Sequence, residues 1–306
     1  MAAESAALRP PPGLAVAAEL PDVIPPRRRL TGALGFARRR PAIAFGGGLL
    51  VVMLLIAVFA PWLGTVDPGV LATSKRLRPP SAEAWFGTDM LGRDLYSRVV
   101  YGARVSLTVG FAVAVLASIA GLAIGLLSGT VRWVDGFVMR LIDGMMSIPP
   151  ILLAVALMAL TRGSLQNVVV AITLAEIPRV ARLVRGVVLS LREQPYVDAA
   201  IAAGTGTPMI VIRHILPNTL APMTVQATYI CASAMIVEAI LSFIGAGVPP
   251  ITPSWGNIMA EGRALWQVKP SLVFFPAVFL SLTVLAVNLL GDGLRDALDP
   301  RMAKSL

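Results

Sequence analysis

Six long apolar segments, separated by polar stretches, set the pattern of this sequence. They cover residues 43–63, 106–129, 139–160, 168–191, 220–245 and 270–290. Each contains about the twenty residues that an α-helix needs to cross the hydrocarbon core of a membrane. The pattern therefore predicts an all-α, polytopic membrane protein with six transmembrane helices.

The polar stretches divide the chain into five parts. We expect a disordered cytoplasmic tail over residues 1–40, the first transmembrane helix over 41–64, an extracytoplasmic loop with an amphipathic helix over 65–102, a core of five transmembrane helices over 103–291, and a cytoplasmic C-terminal tail over 292–306. The first tail is rich in Ala and Pro without apolar periodicity, which is typical of disorder. Within the core, residues 192–218 form a polar cytoplasmic loop.

Most of that loop is a short segment with polar residues at both ends, residues 198–218, which we call the polar island. Helix-forming alanines open it, and the run from Gly204 to Pro208 breaks it. An apolar run follows, and Leu216-Pro217 ends it because proline cannot continue a helix. The pattern predicts two short helices at an elbow outside the membrane.

Residues 87–98 form the most distinctive part of the first outward loop. They predict a capped amphipathic helix, with Thr88 or Asp89 at its start and Asp94 paired with Arg98. A second outward loop, residues 248–269, contains tryptophans, whose rings suit the membrane interface.

Small residues recur along one stripe of the second apolar segment. They are Ser118, Gly121, Gly125 and Gly129. Because small side chains let two backbones come close together in a membrane, the stripe predicts close packing against another helix.

Charged residues inside the predicted spans are candidates for a solute pathway. Asp143 lies in the third segment and Glu238 in the fifth, and a carboxylate at mid-membrane costs about 2.5 to 3.5 kcal/mol on insertion scales. Asp143 could face a pathway or pair with Arg140 near the interface. Pro149 and Pro150 are expected to kink or interrupt the third helix.

Three arginines share one face of the fourth segment. Arg179, Arg182 and Arg185 recur every third residue, a spacing that voltage sensors also show. Their position at the end that returns to the cytoplasm equally fits a basic helix end anchored at the interface.

Composition supports a membrane protein and gives it an orientation. Hydrophobic residues make up 56% of the chain and charged residues 14%, against about 25% charged residues in soluble domains. Basic residues such as Arg38, Arg295 and Lys304 stand beside the apolar segments. Because cytoplasmic loops carry an excess of Lys and Arg, we place both termini in the cytoplasm and attribute the net charge of +9 to this bias rather than to nucleic-acid binding.

The residue inventory excludes several enzyme classes. A single Cys231 and a single His214 leave no intrachain disulfide and no Cys/His set for zinc. The sequence has no phosphate-binding loop, and its one His lies in the predicted cytoplasmic loop, so an intramembrane Ser-His hydrolase would lack its base. We expect no catalytic residue and no cofactor in this chain. Energy for solute movement would come from an ion gradient handled by buried charges or from a separate ATPase.

The polar island resembles a motif of a known family. Asp198-Ala199-Ala200, Gly204 and Leu216-Pro217 resemble the Glu-Ala-Ala ("EAA") loop of ABC importer permeases, with Asp in place of Glu. The form Arg213-His214-Ile215-Leu216-Pro217-Asn218 is similar to the peptide-transport branch. Other motifs similar to the dipeptide/oligopeptide family, C-type subunit, are Asp67-Pro68, Gly87-Thr88-Asp89, Leu91-Gly92-Arg93-Asp94, Ser97-Arg98, Leu241-Ser242-Phe243, Ser254-Trp255-Gly256 and Asn288-Leu289-Leu290-Gly291-Asp292.

The resemblance implies a type I ABC importer permease core in a bacterial inner membrane, with its partners. These would be a second permease subunit in a heterodimer, two cytoplasmic ATPases that bind ATP and Mg, and an extracytoplasmic solute-binding protein. The residues it implies for ATPase coupling are Asp198, Ala199, Ala200, Gly204, His214, Leu216 and Pro217. Those it implies at the outer mouth are Gly87, Asp89, Gly92, Arg93, Asp94 and Arg98.

The solute and its pathway are less strongly indicated. Methionine is adaptable and suits a lining for varied side chains, although the same residues could serve ordinary helix packing. The candidates are Asp143, Met145, Met146, Ser147, Met235 and Glu238. Peptide, nickel, glutathione and opine importers share these motifs. An ion-coupled secondary transporter is the alternative of a different class, and it would require paired intramembrane charges and inverted repeats.

Overall fold

The computed structural model describes residues 40–161 and 163–298. The predicted N-terminal tail up to residue 39 and the last residues of the predicted C-terminal tail lie outside these ranges. Within them the chain forms helices and turns, with one isolated antiparallel bridge between Thr88 and Asp94 and no β-strand. The all-α prediction is therefore confirmed for the described part of the chain.

Nine helices follow one another along the described chain. They are α1 (Pro41–Val58), α2 (Leu95–Thr130), α3 (Arg132–Met146), α4 (Pro150–Ala159), α5 (Leu165–Arg192), α6 (Pro195–Ala202), α7 (Thr207–Phe243), α8 (Trp255–Gly262) and α9 (Ser271–Leu298). Short 3-10 turns occur at Ala60–Trp62, Thr73–Lys75 and Arg263–Leu265.

Four of these helices are long and apolar enough to cross a membrane singly, namely α1, α2, α7 and α9. Together, α3 and α4 make a fifth candidate span, which is bent by 88°. The remaining predicted span, α5, has 28 residues but carries Glu176 near its middle and several arginines in its second half. In the described chain, length and composition thus support four or five of the six predicted spans, and α5 is the charged exception.

The bend between α3 and α4 lies where proline was expected to interrupt the helix. Pro149 precedes α4 and Pro150 opens it. Proline has no amide hydrogen and disfavours helical geometry in the residue before it. The predicted interruption is confirmed, and the first of the two helices begins at Arg132 rather than near residue 139.

Several helix ends differ from the limits of the apolar segments. α2 begins at Leu95 and α9 runs on to Leu298, so each extends beyond its predicted span. Backbone hydrogen bonding continues after the side chains become polar, whereas hydropathy marks only the part suited to lipid. By contrast, α1 ends at Val58, because the chain tightens into the 3-10 turn that contains Pro61.

The stripe of small residues on α2 packs directly against α5. A Cβ atom added to Gly125 would lie 2.6 Å from Val184 Cβ, and one added to Gly129 would lie 2.6 Å from Val188 Cγ1. At Gly121 the same approach is made to Val180. The predicted close packing is confirmed, and its partner is a row of valines on the charged helix.

We predict opposite effects of the same substitution at two glycines of this region. Gly125→Ala should destabilise the protein by about 1 to 3 kcal/mol, because the added methyl group overfills the contact between α2 and α5. Gly186→Ala should stabilise it by up to about 1 kcal/mol, because a Cβ atom at Gly186 would meet no packed neighbour within 4 Å in the described part of the chain and alanine favours helix. Thermal unfolding midpoints of the two purified variants in detergent test this. Equal shifts of the two unfolding midpoints would show that the contact between α2 and α5 is not tightly packed.

Candidate functional site

The 192–218 segment runs from the last residue of α5, through the short helix α6, into the first turns of α7. Gly204 follows α6 with φ +81°, a left-handed conformation that favours glycine. Its amide donates to Ile201 O at 2.9 Å, and the amide of Thr205 donates to Ala200 O at 3.0 Å. These two hydrogen bonds form a Schellman motif, which satisfies the last carbonyls of α6. Gly204 therefore fixes the turn, as expected, although a Cβ atom added to it would meet no atom of the described residues within 4 Å apart from its chain neighbours.

The second short helix of the predicted elbow does not exist as a separate element. α7 runs without interruption from Thr207 to Phe243 and passes through Pro217. A π-helical turn at Val211–Ile215 precedes this proline. A wider turn can accommodate a residue that lacks the amide hydrogen, so the expected stop at Leu216-Pro217 is wrong. The segment is continuous with a membrane-spanning helix.

Several large apolar side chains of the 192–218 segment are exposed. Three residues anchor it to the bundle, since Val197, Ile210 and Ile215 are buried. The exposed apolar residues are Tyr196 (41%), Ile201 (57%), Met209 (53%) and Ile212 (62%). Several large apolar groups exposed on one short segment are typical of a protein-binding surface.

The predicted coupling residues occupy different parts of this segment. Asp198 is exposed in the first turn of α6, where the helix dipole favours a carboxylate, and it forms no ion pair with a described residue. The ring of His214 lies 6.1 Å from that of Tyr196. Ala199, Gly204 and Pro217 are exposed, whereas Ala200, His214 and Leu216 are partly buried.

At the other end of the bundle, residues 87–94 form a turn-rich loop rather than a helix. Gly87 and Gly92 have φ of +81° and +76°, which an α-helix does not allow. The helix starts at Leu95, and Asp94 Oδ2 caps it by accepting from Ser97 N at 2.7 Å. Asp94 is therefore the cap rather than Thr88 or Asp89, and the expected pair between Asp94 and Arg98 is not formed.

Four charged side chains meet instead beneath this loop. Asp89 Oδ2 accepts from Arg93 Nε at 2.6 Å and from Arg98 Nη1 at 2.6 Å. Glu261 Oε2 of α8 accepts from Arg93 Nη2 at 2.6 Å and from Arg98 Nη1 at 2.5 Å, and its Oε1 from Arg98 Nη2 at 3.0 Å. Asp89 and Arg98 are almost fully buried. Two positive and two negative charges thus balance each other where water has little access.

Sequence reasoning missed Glu261, because it lies far along the chain in a segment predicted to be a loop. One signal was present in residues 87–98. Once Asp94 caps the helix, Asp89 is the one remaining acid in this stretch for two arginines, Arg93 and Arg98. A second acid from elsewhere in the chain would balance their charge.

The tryptophans of the second outward loop differ in position. Trp255 is fully buried, and its Nε1 donates to Val99 O at 3.0 Å. Only Trp266 is exposed, at 56%. The expectation that both rings lie at the membrane interface is wrong for Trp255, since it locks α8 onto α2.

The candidate pathway residues do not form one surface. Asp143 pairs with Arg182 at 2.5 Å rather than with Arg140, because α3 crosses α5 at that level. Met146 and Ser147 are exposed and Met145 is partly buried near the bend. By contrast, Met235 and Glu238 are fully buried in the core.

Two further arginines of α5 form ion pairs, and the buried Glu238 accepts a hydrogen bond from a hydroxyl group. Arg185 pairs with Asp135, and Arg179 Nη1 lies 3.2 Å from Glu176 Oε2. Ser242 donates to Glu238 Oε1 at 2.8 Å. The arginine face of α5 therefore meets acidic partners within the subunit, which neither a voltage sensor nor a simple interface anchor requires.

Comparisons with known proteins identify the class of this fold. A chain of the MetNI methionine ABC transporter in an inward-facing conformation matches with a TM-score of 0.56 and 23% identity, over 66% of this chain and 96% of that one. The described chain therefore has the fold of a type I ABC importer permease. Residues 106–304 match the family described as "Binding-protein-dependent transport system inner membrane component". The chain belongs to this family and is a multi-pass inner-membrane permease subunit of an ABC transporter.

Curated relatives cover nearly the whole chain. A probable peptide ABC transporter permease of Sinorhizobium fredii is 50% identical over 90% of this chain and 94% of its own length. The dipeptide transport system permease DppC of Alkalihalophilus pseudofirmus is 45% identical over 83% and 85%. The glutathione transport system permease GsiD of Salmonella typhimurium is 42% identical over 87% and 88%. These relatives confirm the resemblance to the dipeptide/oligopeptide permease family.

We predict that Glu261→Gln destabilises the protein by about 3 kcal/mol. Glutamine keeps the shape of the side chain but removes its charge, so Asp89 alone would balance the buried Arg98 and Arg93. The Glu261 side chain is only 25% exposed, so water would replace the lost charge poorly. The unfolding midpoint of the purified complex in detergent measures the effect.

The matched control is Glu83→Gln. The hydrogen bond from Lys75, 2.9 Å long, lowers the pKa of Glu83, but both side chains are exposed and the pair should contribute nothing measurable. If Glu261→Gln shifted the midpoint no more than Glu83→Gln, the buried network would not hold α8 in place.

Proposed function

We propose that this chain is one of two permease subunits of an ATP-driven importer of dipeptides and oligopeptides. The names of the relatives at 50% and 45% identity support a peptide substrate. Family membership disfavours the ion-coupled secondary transporter, since the relatives are permeases of ABC transporters, which are driven by ATP. The second permease subunit would complete the pathway and supply half of its lining.

The exposed 192–218 segment is the observation that carries this proposal. Four of its large apolar side chains are exposed, the Schellman motif at Gly204 fixes its turn, and its last residues are the first turns of α7. A surface of this kind can dock into a partner and transmit a displacement to a membrane helix without bending. We propose that Asp198–Asn218 binds one of two cytoplasmic ATPase subunits, which would hold ATP and Mg.

The orientation follows from this docking. The segment must face the cytoplasm to reach an ATPase, which places both termini there in agreement with the basic residues beside the spans. The Asp89–Glu261 network then faces the opposite side, where a solute-binding protein would deliver its ligand. Closure of the ATPase dimer would move α6 and α7 together and switch the access of the pathway.

The pathway itself is best sought at the bend between α3 and α4. Met145, Met146 and Ser147 are at least partly exposed there and can face a second subunit. Met235 and Glu238 are buried within this chain, so we assign them to packing and polar bonding within the bundle. Their replacement should affect folding before it affects solute selection.

The relatives leave glutathione as a second candidate solute, since one of them at 42% identity is a glutathione permease. We predict that the reconstituted complex hydrolyses ATP faster with its binding protein loaded with a dipeptide or tripeptide than with the empty protein. Glutathione-loaded and nickel-loaded proteins are measured alongside. Stimulation by glutathione or nickel alone would replace the peptide assignment and leave the importer class intact.

We predict that Gly204→Asp lowers peptide-stimulated ATP hydrolysis at least tenfold in the assembled complex. Asp is strained at positive φ but tolerates it better than most residues, and it finds open space among the described residues. A loss larger than that of a matched glycine with positive φ would therefore come from the ATPase surface that meets the turn. ATP hydrolysis by the complex in nanodiscs, after assembly is verified by size-exclusion chromatography, provides the measurement.

Two control variants make this result specific. Gly245→Asp places the same side chain at another open glycine with positive φ (+86°) and the same pair of turn hydrogen bonds, outside the segment, and should leave stimulation unchanged. Asp198→Glu keeps the carboxylate at the start of α6 and should also be tolerated. If Gly204→Asp retained full stimulation, the segment would not couple to the ATPase.

A further inference from the structure

An apolar groove of about 950 Å³ runs between α1 and α2 on the outer surface of the bundle. Its walls include Leu54 of α1 and Leu107, Phe111 and Val115 of α2. Arg104 is the one charged residue among those that line it. The groove therefore combines a long apolar surface with a single cation.

Arg104 lies at the end of the groove where α1 ends. Its Nε donates to Ala57 O at 2.5 Å and its Nη2 donates to Val58 O at 2.9 Å, so it caps the last turn of α1. The ring of Tyr101 lies 5.2 Å below the guanidinium and holds its plane. The cation is thus fixed in position by three residues.

Several N–H groups of the Arg104 guanidinium remain free to donate hydrogen bonds to a ligand. It carries five N–H donors, and the contacts to Ala57 and Val58 use two of them, which leaves three, among them both on Nη1. No ion pair joins Arg104 to a carboxylate of the described chain. A fixed guanidinium with free paired donors suits the oxygens of a phosphate group.

The depth of Arg104 also fits a lipid headgroup. Just beyond Val58, Phe59 and Trp62 are exposed at 47% and 74%, with ring centroids 5.7 Å apart. Aromatic side chains of this kind concentrate where the hydrocarbon core meets the headgroups. Phe111 and Val115 lie two and three helical turns from Arg104 along α2, and therefore toward the acyl chains.

We propose that this groove is a phospholipid site. The phosphate would bind the free N–H groups of Arg104, and one acyl chain would lie against Leu54, Leu107, Phe111 and Val115. In the proposed orientation the lipid belongs to the outer leaflet. A helix of a partner subunit could also fill an apolar groove, but it would bring no phosphate to the free donors of Arg104, so the lipid is favoured.

The test uses the assembled complex in nanodiscs of phosphatidylcholine that contain a phosphatidylglycerol with a photoreactive acyl chain. After irradiation, the adducts are mapped by mass spectrometry. Adducts should concentrate on α2 between Arg104 and Leu116. Arg104→Gln should reduce them about tenfold, the equivalent of about 1.4 kcal/mol for a charge-assisted hydrogen bond.

Two tryptophan variants separate the groove from general lipid contact. Ala112→Trp fills the groove without touching Arg104 and should abolish the concentrated adducts. Leu127→Trp places the same side chain at an exposed position of α2 outside the groove and should leave them unchanged. Equal labelling in both variants would mean that bulk lipid alone contacts this face. Crosslinks to the second permease subunit in place of lipid would also overturn the proposal, and neither outcome would alter the ATP hydrolysis tests.

Discussion

The contact between α2 and α5 is the constraint on which the rest of the structure depends. Lipid is as apolar as a leucine side chain, so helices in a membrane gain little from hiding apolar groups and must instead pack closely. Gly121, Gly125 and Gly129 provide that closeness by admitting the valines of α5. Arg192 extends the same seam, since its Nη1 donates to Gly129 O at 2.8 Å. The charged helix α5, which length and composition alone do not mark as a span in the folded chain, is held against the bundle by this packing.

The position of α5 determines where the 192–218 segment lies and which helix α3 contacts. At one end it leads directly into the 192–218 segment, so the exposed apolar surface of that segment is held at a fixed place beside the bundle. Along its length, Arg182 and Arg185 bind Asp143 and Asp135 of α3, which lies at nearly a right angle to α4. The bend at Pro149 and Pro150 is thus started by proline, and the partly buried Arg185–Asp135 pair ties α3 to α5.

The opposite end is held by charge rather than by close packing. Asp89, Arg93, Arg98 and Glu261 connect the loop before α2 with α8, and Trp255 adds a hydrogen bond to α2 beside them. A buried set of two acids and two bases stabilises only if all four are present, because removing one leaves an uncompensated charge. The outer end of the bundle is therefore specified by a few side chains whose partners are distant in sequence.

The sequence by itself determined the class of this protein: its apolar spans, its glycine stripe, the proline interruption and the motif around Gly204 all have local causes. Backbone turns and helix periodicity depend on neighbouring residues, so they can be inferred from them. Only the tertiary structure decided that α7 passes through Pro217, that Asp143 binds Arg182, and that Glu261 completes the charge network. These outcomes depend on which helices cross and at what level, and a carboxylate chooses its arginine by distance in space rather than along the chain.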